Sequence, residues 1–388
     1  MKRYALFLLL TATLFAQHTS LTPKEISDGW VLLFDGETLF GWTPEGKAQW
    51  RASGGVLTAE GENGWLRSNA AFADFEMKCD WRTGADGNSG VFLRSAKDGA
   101  PHETGYELQI WNQHPKYATG SLVNHVAAKR IRPAADRWHT FEVQAVGSQW
   151  VVKVDGKKVL DASDPKSKTG HFGLQYNKDK KIEFRNIKVR PLGLKPIFNG
   201  KNLDGWKVVE PPKPPKERAV WSAKDGMINV LHGGGQLETE STWDDFILQL
   251  DIRANSDDPK RHPNSGIFFR GDPGAYWAGY ESQIRNEYKD NDPTQPVDYG
   301  TGAIYNRIAA RKIVAADNQF FTKTLIARGA HMSVWINGYQ VTDWEDTRPP
   351  DASARKGLRT KEGTIALQAH DPTTNLDFRN IRIAPFPK

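Results

Sequence analysis

Between Phe75 and Arg82 the apolar residues Phe75, Met77, Cys79 and Trp81 alternate with Glu76, Lys78, Asp80 and Arg82. Further along, Phe246, Leu248, Leu250 and Ile252 share one face, with Gln249, Asp251 and Arg253 on the other. A period of two sustained over eight residues predicts a half-buried antiparallel strand at each place. Cys79 then points into the core as a small apolar side chain. Residues 151–159 and 334–341 read as hairpins around Asp155-Gly156 and Asn337-Gly338, dipeptides that accept the positive φ of a type I′ turn. No long amphipathic helix stands out. The pattern predicts an all-β chain.

These elements occur twice. Phe34-Asp35-Gly36, Leu39 and Gly41-Trp42 return as Phe198-Asn199-Gly200, Leu203 and Gly205-Trp206. Asn88-Ser89-Gly90 with Arg94 returns as Asn264-Ser265-Gly266 with Arg270, and Gly105-Tyr106-Glu107-Leu108-Gln109-Ile110 as Gly279-Tyr280-Glu281-Ser282-Gln283-Ile284. Leu174-Gln175 answers Leu367-Gln368, and both copies end in Phe-Arg-Asn-Ile, at 184–187 and 378–381. Ordered matches at so long a period mean duplicated domains rather than a solenoid. The expected division is 21–191 and 192–388, with a short joint near Pro191 to Lys195 that sets the domains against each other. Each fits a double-sheet sandwich or jelly roll. The second copy carries extra loops at 211–215, 257–263 and 286–298, which are expected to shape a site.

Composition adds limits. Gly (35) and Pro (22) are abundant and Met (4) scarce among the 388 residues, as turn-rich β structure requires. The single cysteine excludes an internal disulfide framework and cysteine-based zinc sites. A net charge of +6, scattered among acids, reads as a mixed solvated surface, so no nucleic-acid partner is expected. Met1-Lys2-Arg3, the apolar run from Tyr4 to Phe15 and the small Ala16 follow the plan of a secretory signal, residues 1–16. The run is too short for a comfortable membrane span. The expectation is an exported protein, periplasmic or secreted.

Side chains two apart on a strand share a face. That places Asn264, Gly266, Phe268 and Arg270 together, and Glu281, Gln283 and Arg285 together. Gln368 pairs with His370 on a late strand. In the first copy Arg94 joins Asn88, and Glu107 joins Gln109, but Asn177 stands where the second copy has His370. A face of Arg, Glu and Gln suits a sugar, because paired donors and acceptors match vicinal hydroxyls. A Glu–Arg pair on such a face is also an ordinary structural ion pair.

Taken together, these motifs resemble the 3-keto-disaccharide hydrolase domain, formerly domain of unknown function 1080. The resemblance covers nearly the whole chain after the signal, twice. It implies two tandem concanavalin A-like jelly rolls in an exported bacterial protein, and hydrolysis of a glycosidic bond in an oligosaccharide or glycoside oxidised at C3. A ketone at C3 acidifies the C2 proton, so a base can form an enolate and expel the C1 substituent by β-elimination, with water adding back. Such a route needs an acid, a base and a partner for the enolate. The expected catalytic residues are Glu281 as base, His370 as acid or alternate base, and Arg270 on the developing oxyanion. Asn264, Gln283, Arg285, Gln368, Arg94, Glu107 and Gln109 are expected to bind substrate. No cofactor is expected. A divalent metal is an open alternative, with His370, Asp371 and Glu281 as conceivable ligands, although no metal-binding spacing supports it. A lectin-like binding protein is the rival reading, because the fold serves both. The missing histidine turns the first copy toward binding or support.

Overall fold

The computed structural model describes residues 20–388 except 354. The expected signal segment, residues 1–16, lies outside the described residues. The described residues form antiparallel strands, with two short helical turns among them at Pro23–Ser27 and Pro101–Thr104. Among the described residues no helix is long and apolar enough to cross a membrane.

Two jelly-roll sandwiches follow each other along the chain. In the first unit a strand of 17 residues, Val56–Phe72, runs through both layers. Its start pairs with Ile182–Pro191 and its later part with Gly170–Tyr176, so both layers form one continuous sheet. In the second unit the equivalent stretch is broken into Met227–Leu231 and Gly235–Thr239. His232 and Gly234 adopt φ of 68° and 81° there, which ends one strand before the next begins. One layer is then ordered Val220–Lys224, Met227–Leu231, Asn375–Pro385, Phe246–Ala254, Phe321–Arg328, His331–Ile336, Tyr339–Glu345. The other is ordered Trp206–Val209, Gly235–Thr239, Thr364–Ala369, Ser265–Gly271, Tyr280–Ile284.

Each sandwich has its own core. Leu57, Phe72, Phe75, Trp81, Phe141 and Trp150 meet in the first, and Leu248, Ile267, Phe269, Leu325, Leu367 and Phe378 in the second. Burying such side chains stabilises by about 1.5–3 kcal/mol each. The alternation at Phe75 and Phe246 holds, but the first half of the second strand, residues 246–250, is buried on both faces. Ile247, Ile326 and Trp335 of the second unit join the core of the first, and Trp335 donates its indole N–H to the Leu32 carbonyl at 2.8 Å. The outer face of that strand is thus covered by the neighbouring unit.

The closing Phe-Arg-Asn-Ile motif is structural. Asn186 and Asn380 take φ of 50° and 52° and donate to Asp80 and Asp251, each at 2.7 Å. The left-handed residue kinks the final strand, a place where Asn is tolerated.

Candidate functional site

Hydrogen-bond register decides which residues share the outer face of the smaller layer. Gln236 stands opposite Gln368, and Gly266 opposite Gln283. In the neighbouring row Phe268 stands opposite both Ala366 and Glu281. Glu281 lies across Gly266, where a Cβ would stand 2.7 Å from Oε1. The first unit repeats this, with Glu107 lying over Gly90. The glycine of each Asn-Ser-Gly motif leaves room for the carboxylate beside the next strand.

Glu281 is 5% exposed. Arg355 donates from Nη2 to Oε2 at 3.0 Å and from Nη1 to the Trp277 carbonyl at 3.1 Å. Burial raises the Glu281 carboxyl above its ordinary range, with Arg355, His370 and Gln368 acting in the opposite direction. Glu281 opens to a cavity of about 250 Å³ lined also by Tyr280, Tyr305, Asn306, Arg307 and Arg355. Burial also raises the Tyr305 phenol, with Asp298 and Glu281 adding to the shift. Glu107 differs: burial pushes it up to about 7, and only Gln175 opposes the shift.

His370 bonds through Nδ1 to Asp371 Oδ2 at 2.8 Å. That contact, foremost, holds the Asp371 carboxyl well below its usual range. The imidazole stacks on Trp277 at 5.5 Å and 7°, and Trp277 stacks on Phe268 at 6.2 Å and 19°. Gln236 accepts from the Trp277 N–H at 2.7 Å and Glu238 from the Gly274 N–H at 2.8 Å, holding this loop over the sheet. Gln283 donates to the Asp298 carbonyl and carboxylate, and Asn264 to the same carboxylate at 3.4 Å. The extra loop at 286–298 thus reaches this face. Asn264 Oδ1, Gln368 Oε1 and Trp277 Nε1 are buried without a partner, so three polar atoms on this face are unsatisfied.

Several expected residues are placed elsewhere. Arg270 is not beside Glu281. It takes φ of 55° at a register shift between Phe269 and Gly271, which breaks the alternation and swings the side chain off the face. It is 1% exposed, pairs with Asp245 at 2.8 Å, and donates to the carbonyls of Asp244, Gly329 and Arg359. Arg94 repeats this with φ of 53°, Asp74, and the carbonyls of Ala73, Gly147 and Ser167. Neither arginine pairs with the motif glutamate; the ion pair of Glu281 is made with Arg355 instead. Arg285 lies just past its strand and is tied to Glu287. His125 of the first unit is engaged by Asp164 and Lys166. Gln109 keeps a buried, unpartnered Oε1. Among the described residues no cluster of three His, Cys, Asp or Glu is placed to hold a metal ion. Glu281, His370 and Asp371 do not assemble as a ligand set.

Arg355, Tyr305 and Trp277 were not foreseen. A signal for Arg355 was available: residues 346–363 join strands that residues 164–169 join in the first unit. That insertion carries the arginine.

A family profile described as 3-keto-alpha-glucoside-1,2-lyase-like domain matches residues 29–190 and again 193–384. A 3-keto-disaccharide hydrolase of Bacteroides thetaiotaomicron is 29% identical over 129 residues, which is 29% of this chain and 44% of that protein. The chain thus matches less than half the length of that relative. Among solved structures, a candidate glycosyl hydrolase of Parabacteroides distasonis is similar at 23% identity and a TM-score of 0.41, covering 45% of this chain and 100% of its own. The carbohydrate-binding module CBM66 of Bacillus subtilis gives 21% identity and a TM-score of 0.33, covering 39% and 95%.

Proposed function

The chain belongs, in both halves, to the 3-keto-alpha-glucoside-1,2-lyase-like domain family, and from this we propose that its second unit cleaves the glycosidic bond of 3-keto-glycosides. The observation that carries the reading is Glu281, a buried carboxylate kept beside Arg355 and open to a cavity of sugar-ring scale. Glu281 takes the proton from C2. The electron pair moves toward the C3 oxygen, and the C1–O bond then breaks onto the departing oxygen, which His370 protonates. Glu281 then exchanges the captured proton with solvent, and water adds across C1=C2, placing hydroxyl on C1 and a solvent-derived proton from Glu281 on C2, while the second water proton returns to His370.

Arg355 favours the ionised form of Glu281 that a base requires, since an adjacent cation favours the charged form of a carboxyl. Asp371 binds the Nδ1 side of His370 and so leaves Nε2 to carry the transferred proton. Tyr305 and Asn306, which line the Glu281 cavity, offer hydrogen bonds to the C3 oxygen in place of Arg270. The first unit lacks the counterparts of Arg355 and His370 and is proposed to bind sugar or to support its partner. Export, from the basic and apolar N-terminus, belongs to the same proposal.

A lectin-like protein without turnover is the second reading. It draws on Trp277, whose ring lies against both His370 and Phe268, an aromatic platform of the kind that lectin sites use. Protein assayed on a 3-keto-disaccharide and on its unoxidised parent separates the two. Release of monosaccharide from the keto sugar alone supports the enzyme. Binding of either sugar without release supports the lectin.

A further inference from the structure

Beneath the strand that carries Glu281, the two units differ at a coupled pair of core positions. In the first unit Leu108 follows Glu107, and Phe141 lies in the core of the same sandwich; both are fully buried. In the second unit Ser282 follows Glu281, and the position of Phe141 is taken by Lys323. The equivalence is fixed by the hairpins: the Thr140 N–H bonds Asp155 as the Thr322 N–H bonds Asn337. An apolar pair has thus become a polar pair, both members at once.

Lys323 has no exposed surface. Its Nζ donates to the Ser282 carbonyl at 3.1 Å, the Ser282 hydroxyl at 3.1 Å and the Gln283 carbonyl at 2.9 Å. An ammonium has three N–H groups and meets three acceptors here, whereas a neutral amine would turn its lone pair toward one of them. Burial pushes the group down to about 7, and Glu281 is the charge that acts in the opposite direction. Taking an ammonium out of water costs several kcal/mol, and the first unit forms the same sandwich with phenylalanine in this place. The fold alone does not call for the lysine.

We propose that Lys323 is a positioning residue for the reaction: from the core side it fixes the carbonyls that follow Glu281 and supplies a positive charge beneath that carboxylate. This rests on the reading of Glu281 as the base. The charged and titratable groups facing Glu281 are then Arg355, His370, Tyr305, Tyr280, Arg307 and Lys356 on the open side and Lys323 on the core side. At Glu107 burial raises the carboxyl and Gln175 is the group acting in the opposite direction.

The test is the double variant Lys323→Phe/Ser282→Leu, which restores the apolar pair of the first unit, alongside Lys323→Met. The expected result is a folded protein at least as stable as the parent. The acid limb of its kcat/KM profile should move up by about one pH unit, with kcat/KM falling up to about tenfold on the acid side of that limb and KM little changed. A 13C NMR titration of the Glu281 carboxyl should show the same upward shift without substrate. A folded double variant with an unmoved acid limb and an unmoved carboxyl titration overturns the proposal, as does a loss of turnover without either shift, which would leave Lys323 a packing role. Glu281→Gln, run in parallel, separates the two failures. If that variant is inactive and the double variant is unchanged, only the role of Lys323 fails. If Glu281→Gln keeps full turnover, the base assignment fails and the proposal with it.

Discussion

Glu281 lies across Gly266, and a methyl group at that glycine would stand 2.7 Å from the carboxylate oxygen. Gly266→Ala should therefore push the carboxylate out of place. Misplacing a reacting group by about 1 Å can cost about 10²-fold in rate. The expectation is a kcat lower by about that factor, with the far-ultraviolet circular dichroism of the parent.

Glu281→Gln removes the base while keeping size and hydrogen-bonding reach. A positioned acid or base contributes about 10²–10⁴-fold, so turnover should fall by that much without loss of thermal stability. Turnover at the parental rate would remove Glu281 from the chemistry.

The Glu281 carboxyl is raised by burial, and Arg355 foremost counteracts the rise. A base must be ionised, so activity should fall as pH drops through a value above the ordinary carboxylate range. Arg355→Gln removes the lowering influence, and the acid limb should move to still higher pH. The kcat/KM profile of both proteins between pH 4 and 9 checks the sign.

Glu107 is lifted to about 7 by burial, against an unfolded value of 4.5. Its contribution to stability is complete below pH 4.5 and is lost as pH rises through 7. Glu107→Gln should thus stabilise the protein at pH 8 by at most about 3 kcal/mol relative to the parent, with no such gain at pH 4.5. Urea denaturation at both pH values measures the difference.

Arg270→Met should destabilise the second unit by about 3–5 kcal/mol, because Asp245 and three backbone carbonyls lose their common partner. Turnover per folded molecule should survive. Selective loss of turnover at full stability would return Arg270 to the chemistry.

The repeat, the strand alternation and the hairpins were legible in the sequence because each is a local pattern with a fixed period. Glu281, Gln283 and Gln368 were placed on one face by the same rule, and register puts them there. Arg270 broke the rule through one left-handed residue, which reverses the side chain and leaves no mark in the alternation. Arg355 and Trp277 reach the site from loops, whose paths no periodicity encodes. Lys323 could have been suspected, since Leu108 and Phe141 become Ser282 and Lys323 together, but only the packing of the two layers shows that these positions touch.

The central claim is proton removal from C2 by the second unit. The direct measurement uses a 3-keto-disaccharide deuterated at C2, with the released keto sugar examined by mass spectrometry and a deuterated product incubated with enzyme as the control for later exchange. The account expects the deuterium to be lost to solvent during cleavage, and the parental disaccharide to remain intact. Cleavage with the deuterium retained at C2, or equal cleavage of the unoxidised sugar, would contradict it.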